Sequence, residues 1–367
     1  MVLSQLSIIN FKNYEEANLS LSETINCFFG DNGSGKTNIL DAVYYLSFCK
    51  SYFNAIDSQN INHEAPFFVV EGYYQLSDET NKVYCGVKRG QKKVFKYNKH
   101  EYSKLADHIG KLPLVIITPA DTSLIIDGSD IRRKFVDGII CQYDHQYLNH
   151  LINYNKALQQ RNLLLKSFFK NRHFDLASLE VWNNQLIQFG NAIHTARAKF
   201  ITDFTPYFQE YYNLLSNKKE LVTLIYDSKL NDHTFEDLLA NSLEKDKATS
   251  YTNVGVHKDD LIFNIGEHPI KKFGSQGQQK TYLLALKLAQ AELIQQKQNK
   301  KVTLLLDDIY DKLDNKRMEQ LLGIVGSEKF GQIFITDTSK ERIPAILNKE
   351  KINFKAFNVE EGKITEL

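Results

Sequence analysis

One stretch of this chain limits its fold more than any other: Gly30-Asp31-Asn32-Gly33-Ser34-Gly35-Lys36-Thr37. It fits the pattern G-x-x-x-x-G-K-[ST], in which consecutive backbone N–H groups wrap a phosphate. The pattern works only where a buried strand enters the loop and a helix leaves it. Both are legible: TINCFF runs into the loop and TNILDAVYYLSF runs out of it. Gly30, Gly33 and Gly35 allow the tight turn and close backbone approach, and the helix start adds its positive dipole end. Lys36 is expected to reach the β and γ phosphates of a nucleoside triphosphate, and the Thr37 hydroxyl to ligate Mg²⁺. Asp31, Asn32, Ser34 and Asn38 complete the expected ATP-binding segment.

A second element lies far along the chain, in VTLLLDDIYDKLD. Apolar residues followed by Asp307 and Asp308 describe a buried strand that delivers two carboxylates at its end. Asp307 is expected to hold Mg²⁺ and Asp308 to orient or deprotonate an attacking water. Lys36, Asp307 and Asp308 are thus the candidate catalytic residues. The plainer reading is a strand capped by solvated acids. A third element, FGSQGQQK, starts a helix at Ser275. Ser275, Gly277 and Gln278 offer a hydroxyl, a close-approaching backbone and a helix dipole to a phosphate, although an ordinary helix cap has the same composition.

At 367 residues the chain is too long for one core. Three parts are expected: 1–118 with the phosphate loop and a β-rich lobe, 119–249 as a helical insertion, and 250–367 with the serine motif and acidic strand. Trp182, Leu186, Phe189, Ile193, Ala196, Phe200 and Phe204 step by four and three, so two long antiparallel helices are expected, reversing within KNRHFDLASLE. Net charge is only +1, so any polyanion site must come from local clustering. Eight Lys or Arg residues lie between Lys82 and Lys104, among Tyr84, Phe95, Tyr97 and Tyr102. They suggest a hairpin with lysines on its exposed side: a solvated face, or a phosphate contact through Lys88, Arg89, Lys92 and Lys93. Four scattered cysteines read as reduced thiols. The opening lacks a signal-peptide pattern and no apolar run is long enough to span a bilayer, so a cytoplasmic location is expected.

The order of elements (phosphate loop, long insertion, Ser-x-Gly-Gln helix, acidic strand) resembles the ABC-type ATPase heads of DNA-maintenance proteins. Within that group the chain is similar to the RecF family over essentially its full length. The resemblance is carried by LSIINFKNYEEANLSLSETINCFFGDNGSGKTNILDAVYYLSF, by ITPADTSLIIDGSDIRRKFVDGII, by GVHKDDLIF and by the tail FNVEEGKITEL. It implies an α/β fold: an ABC/SMC-type P-loop ATPase head assembled from both chain ends, with an inserted helical arm. It also implies that two heads sandwich two ATP molecules, so that Ser275, Gly277 and Gln278 of each face the nucleotide of the other. The function it implies is weak DNA-dependent ATP hydrolysis resetting an ATP-dependent homodimer on DNA at gaps or single-strand/double-strand junctions. The implied setting is replication, the SOS response and recombinational gap repair, with RecR and RecO as partners and RecA loaded indirectly.

Some residues depart from the family pattern. Lys258 stands where Arg is usual, Ala120 and Asp130 replace an acidic residue and a proline, and Asp311-Lys312 replace a small or acidic pair. Where ABC transporters place a switch histidine this chain has Asp337 and Thr338, so slow turnover is expected. Arg132 and Arg133 suit a salt bridge, a phosphate contact or an inter-lobe contact, His257 a polar network near the nucleotide ahead of a catalytic role, and Lys12 an α-phosphate, DNA or an exposed strand end. The rivals are an SMC-like chromosome-maintenance or defence ATPase, which usually carries a longer coiled coil or a nuclease domain, and an ABC transporter ATPase subunit, which needs a membrane partner.

Overall fold

A computed structural model describes residues 1–76, 79–216, 220–309, 315–327 and 329–367. The chain opens with β1 (Val2–Phe11), β2 (Tyr14–Ser20), β3 (Ile25–Phe29) and α1 (Lys36–Phe48). Then come β4 (Phe67–Leu76), β5 (Glu79–Lys88), β6 (Val94–Tyr97), β7 (His100–Glu101) and β8 (Leu114–Ile117). A helical stretch follows, with α2 (Ser123–Ile126), α3 (Ser129–Tyr143), α4 (His145–Asn171) and α5 (Leu176–Ser216). Next are β9 (Val222–Asp227), α6 (Phe235–Thr249), β10 (Asp260–Ile265), β11 (His268–Pro269) and α7 (Ile270–Phe273). The last part holds α8 (Gln276–Gln298), β12 (Thr303–Leu306), α9 (Asn315–Gly326), β13 (Ile333–Asp337), α10 (Arg342–Lys349), β14 (Phe354–Glu360) and β15 (Lys363–Glu366).

These elements form two compact units. One comprises Met1–Thr122, Tyr211–Lys218 and Gln276–Leu367; the other comprises Ser123–Glu210 and Lys219–Ser275. The first unit is therefore built from both chain ends. Its central sheet has the order β15-β14-β3-β13-β12-β8. From β14 to β8 every pairing is parallel, and β15 adds an antiparallel edge. All residues of β3, β12 and β13 are buried, which is why these strands are mostly apolar on both faces rather than alternating.

The first unit's other sheet, β2-β1-β4-β5-β6-β7, is antiparallel. Its strands alternate, as a sheet with one covered face must. Ile8, Phe11, Phe68, Val70, Val83 and Phe95 share one apolar core with Tyr45 and Leu46 of α1. A bulge between Leu3 and Gln5 shifts the register, so Leu3 and Leu6 both turn inward despite their odd spacing. The expected basic hairpin is β5–β6, and β6 turns into β7 through Asn98 and Lys99, both at positive φ.

In the second unit α4 and α5 run antiparallel: His150 meets Phe189, and Arg161 meets Asn183 further along. The reversal lies within the expected segment. Arg172 ends α4 in the left-handed region, and the Asp175 carboxylate accepts the Ala177 and Ser178 N–H groups at the start of α5. Leu186, Ile193, Phe200 and Phe204 of the apolar stripe are fully buried. After the short passage Tyr211–Lys218, the chain returns to the first unit for its last part at Gln276 rather than near residue 250. The reason is strand pairing. β10 finds its partner in β9, from Asp260 opposite Asp227 to Ile265 opposite Val222, and so stays in the unit that holds β9.

Candidate nucleotide site

The loop between β3 and α1 is shaped by close backbone approach. A Cβ at Gly30 would lie 2.2 Å from the Val359 carbonyl oxygen, and one at Gly35 would lie 2.4 Å from Asn13 Nδ2. Gly33 and Gly35 also adopt φ of 85° and 113°, a region open to glycine. Asn13 and Tyr14, at the β1–β2 turn, brace the loop from the antiparallel sheet. Asn13 Nδ2 donates to the Ser34 carbonyl at 3.1 Å, Tyr14 donates its hydroxyl to the Gly35 carbonyl at 3.0 Å, and Asn38 donates to Asn13 Oδ1 at 2.7 Å. The sequence reading overlooked both residues, although they directly follow Lys12 in FKNY. Lys12 itself pairs with buried Asp41 of α1 at 2.6 Å, so it serves neither as an exposed strand end nor as a free cation.

Lys36 is buried, and its ammonium donates to the carbonyls of Gly30 at 2.8 Å and Asp31 at 3.0 Å. Thr37 donates its hydroxyl to Asp307 Oδ1 at 2.9 Å, across 270 residues of sequence. The sheet order brings them together. β13 separates β3 from β12, so the helix after β3 starts beside the end of β12. Thr336, fully buried on β13, fixes the acids: its hydroxyl donates to Asp307 Oδ1 at 2.9 Å and accepts the Asp308 N–H at 2.9 Å. Asp308 there has a φ of 43°, which a residue without a glycine's freedom holds only under constraint. Burial pushes the Asp307 carboxyl above the usual carboxylate range, against hydrogen bonds from Thr336 and Thr37 that pull it down.

Asp337 ends β13, and its carbonyl accepts the Gly30 N–H at 3.3 Å. Burial raises its carboxyl as well, and its Oδ2 is buried without a hydrogen-bond partner. Ser34 Oγ is likewise buried and unpartnered in the loop. The site therefore offers a glycine-lined backbone cradle, a buried ammonium, an unpaired hydroxyl, and a hydroxyl–carboxylate pair of hard oxygen donors. That chemistry fits a polyphosphate with Mg²⁺.

The remaining sequence candidates fall elsewhere. Asp31, Asn32 and Gly33 are exposed at the loop tip. Ser275 is exposed just before α8, and Gly277 and Gln278 sit half-buried in the first turn of that helix. Asp311 and Lys312 lie outside the described residues. In the basic hairpin, Lys88, Arg89 and Lys92 are exposed. Lys93 is not on that face. Its ammonium turns inward to Asp57 at 2.7 Å and the Cys49 carbonyl at 2.6 Å, acceptors presented by the cap of α1 and by the short helical turn Asp57–Asn60.

In the second unit Arg132 forms a two-pronged pair with Asp260, at 2.7 and 2.9 Å, and Arg133 donates to the Asp259 carbonyl at 2.5 Å. His257 donates from Nε2 to the Thr252 carbonyl and accepts the Tyr154 hydroxyl at Nδ1, at 3.1 and 2.8 Å. Burial lowers its pKa to about 4, so it stays neutral. These three residues hold the second unit together.

Comparison with known proteins decides the family. The model of the RecF/RecN/SMC N-terminal domain matches residues 2–364. A Phocaeicola vulgatus protein described as DNA replication and repair protein RecF is 51% identical, over 100% of this chain and 98% of that protein. This chain belongs to the RecF family. A solved structure of the recombination mediator protein RecF with ATP, in the RecFOR pathway, superposes with a TM-score of 0.90 at 28% identity, covering 100% of this chain and 97% of that one. An Smc head bound to the C-terminal winged-helix domain of ScpA superposes with a TM-score of 0.61 at 15% identity, covering 100% of this chain and 98% of the other. The fold of this RecF-family chain is thus the α/β ABC/SMC-type ATPase head. Among the described residues no helix is long and apolar enough to cross a membrane.

Proposed function

We propose that the chain is a Mg²⁺–ATP-dependent DNA-repair ATPase that binds DNA as an ATP-stabilised homodimer. The observation that carries this reading is the meeting of Thr37 and Asp307 beside the buried Lys36, on three neighbouring strands of a RecF-family head. Gly30 to Asn38 wrap the phosphates, with Lys36 turning from its loop carbonyls to the β and γ oxygens. Thr37 and Asp307 hold Mg²⁺, which when bound screens the phosphate charge and polarises the terminal phosphoryl group. Thr336 keeps Asp308 aimed where it orients the attacking water. Two heads pair so that Ser275, Gly277 and Gln278 of each contact the nucleotide held by the other. One chain alone then carries an incomplete site, and pairing reports ATP binding.

The relatives' names support a role in DNA replication and repair. In our reading the protein acts in the cytoplasm at gapped duplexes or single-strand/double-strand junctions. It works with RecR and RecO to promote RecA loading, and a weak DNA-dependent ATP hydrolysis releases it. Lys88, Arg89 and Lys92 are the proposed DNA contacts; Lys93 supports the loop that carries them. The test is sedimentation of the purified chain with and without ATP–Mg²⁺, then with gapped duplex DNA, beside Lys36→Ala and Ser275→Arg. We expect a dimer that forms only with ATP, binds DNA in that state, and is lost in both variants. ATP binding without a dimer or a DNA complex would reject the reading.

A further inference from the structure

Within the first unit, an unbroken series of buried and half-buried polar contacts joins the helix that follows the phosphate loop to the helix that carries the serine motif. On α1, Asp41 is fully buried; it accepts the Ser51 hydroxyl at 2.6 Å and the Tyr52 N–H at 2.7 Å. Tyr52 carries the contact onward, donating its phenol to Asp121 Oδ1 at 3.0 Å. Asp121 is 5% exposed and its other oxygen accepts the Thr118 N–H at 2.6 Å, which fixes the carboxylate in one orientation. The ammonium of Lys287, on α8, meets the same Oδ1 at 2.6 Å and also donates to the Ile116 carbonyl of β8 at 3.0 Å. The next carbonyl along that strand, Ile117, accepts the Asp307 N–H at 2.8 Å. One end of the series is thus the helix that opens with Lys36 and Thr37. The other is the helix that opens with Gly277 and Gln278, and its middle adjoins the strand beside Asp307.

Stability alone does not explain Lys287. It lies in the apolar run Leu283 to Leu288 and is 5% exposed. Burying its charge costs about as much as the pairing with Asp121 returns, and an apolar residue of that size would pack there at no such cost. What an ion pair adds is geometry. It is directional and has one good arrangement, so a shift of α1 is either transmitted through Tyr52 and Asp121 to α8 or breaks a buried contact.

We propose that Tyr52, Asp121 and Lys287 are positioning residues that couple occupancy of the phosphate loop to the presentation of the Gly277–Gln278 turn, and so to pairing of two heads. This rests on the ATP-driven pairing argued above. The decisive variant is Tyr52→Phe in the full chain, which removes one oxygen and keeps the ring. Lys287→Met removes the other end, and Lys287→Arg restores the charge.

Two quantities are measured for each: affinity of dilute, monomeric protein for a fluorescent ATP analogue, and the dimerisation constant in ATP–Mg²⁺ by sedimentation. For Tyr52→Phe and Lys287→Met we expect ATP affinity within about twofold of wild type and dimerisation weakened about tenfold or more, with Lys287→Arg between them and wild type. Tyr52→Phe that dimerises as wild type does would overturn the coupling. Equal loss of ATP affinity and dimerisation would also overturn it, by reducing the series to support for the loop. If the wild type itself does not pair in ATP, the paired-head reading fails and takes the coupling with it, a result distinct from the other two.

Discussion

Replacing Thr336 with Val tests the geometry of the acidic strand with little change of shape. The side chain is fully buried, so the swap leaves no cavity and removes only a hydroxyl. That hydroxyl makes two hydrogen bonds of 2.9 Å, one to the Asp307 carboxylate and one from the Asp308 N–H. A bond to a charged partner contributes about 1.5–3 kcal/mol, and an N–H left unpaired costs about 1–3 kcal/mol. Partial relaxation brings the expected loss to about 3 kcal/mol, a large share of the ~5–15 kcal/mol that holds a domain folded. Asp308 is also freed from the hydrogen bond that holds its backbone at a φ of 43°. A displacement of that carboxylate by about 1 Å lowers turnover about 100-fold. Nucleotide affinity should fall far less, because Lys36 and the loop do not depend on Thr336. Urea unfolding, ATP binding and steady-state hydrolysis measure the three quantities. Thr338→Val, an exposed hydroxyl two residues on, serves as control for stability alone and should unfold within about 0.5 kcal/mol of wild type. If Thr336→Val loses under 0.5 kcal/mol and hydrolyses ATP at the wild-type rate, then Thr336 does not hold the acids.

Three other outcomes follow from the geometry. The folded His257 takes up a proton only near pH 4, whereas the unfolded imidazole does so near 6.5; its contribution is therefore intact above 6.5 and lost as pH falls, by about 2 kcal/mol between pH 7 and 5. His257→Gln should flatten the stability profile by that amount, and matching slopes for variant and wild type would refute the neutral buried imidazole. Arg161→Met leaves Asp246, fully buried and 2.7 Å from the guanidinium, without its counter-charge, at an expected cost of about 3–5 kcal/mol in urea unfolding. In the basic hairpin, alanine at Lys88, Arg89 and Lys92 should leave stability within about 0.5 kcal/mol and make the salt dependence of DNA binding shallower by about 0.9 for each phosphate no longer neutralised. Lys93→Met should instead destabilise by about 1–3 kcal/mol through Asp57, and the reverse pattern would reassign the two roles.

Several features were legible in the sequence because local chemistry alone specifies them. A phosphate-wrapping loop needs glycines at fixed offsets, a buried parallel strand needs an unbroken apolar run, and a helix stripe needs spacing of three and four. Gly30 to Thr37, the Asp307 strand and the Leu186–Phe204 stripe are legible on those grounds. What the sequence leaves open is pairing between distant segments. β10 looks the same whether it joins the head or pairs with β9, and only the register from Asp260 to Ile265 decides that it closes the second unit. The inward turn of Lys93 is equally invisible, since a lysine between exposed lysines has no mark of the acceptors beneath it. Asn13, Tyr14 and Thr336 belong to the same class: each is an ordinary polar residue until the strand order brings it to the phosphate loop or the acids. Periodicity and loop motifs are set by neighbours a few residues away and survive in one dimension. The contacts that complete the site join distant segments, Thr37 to Asp307 across 270 residues among them, and folding of the parallel sheet decided them.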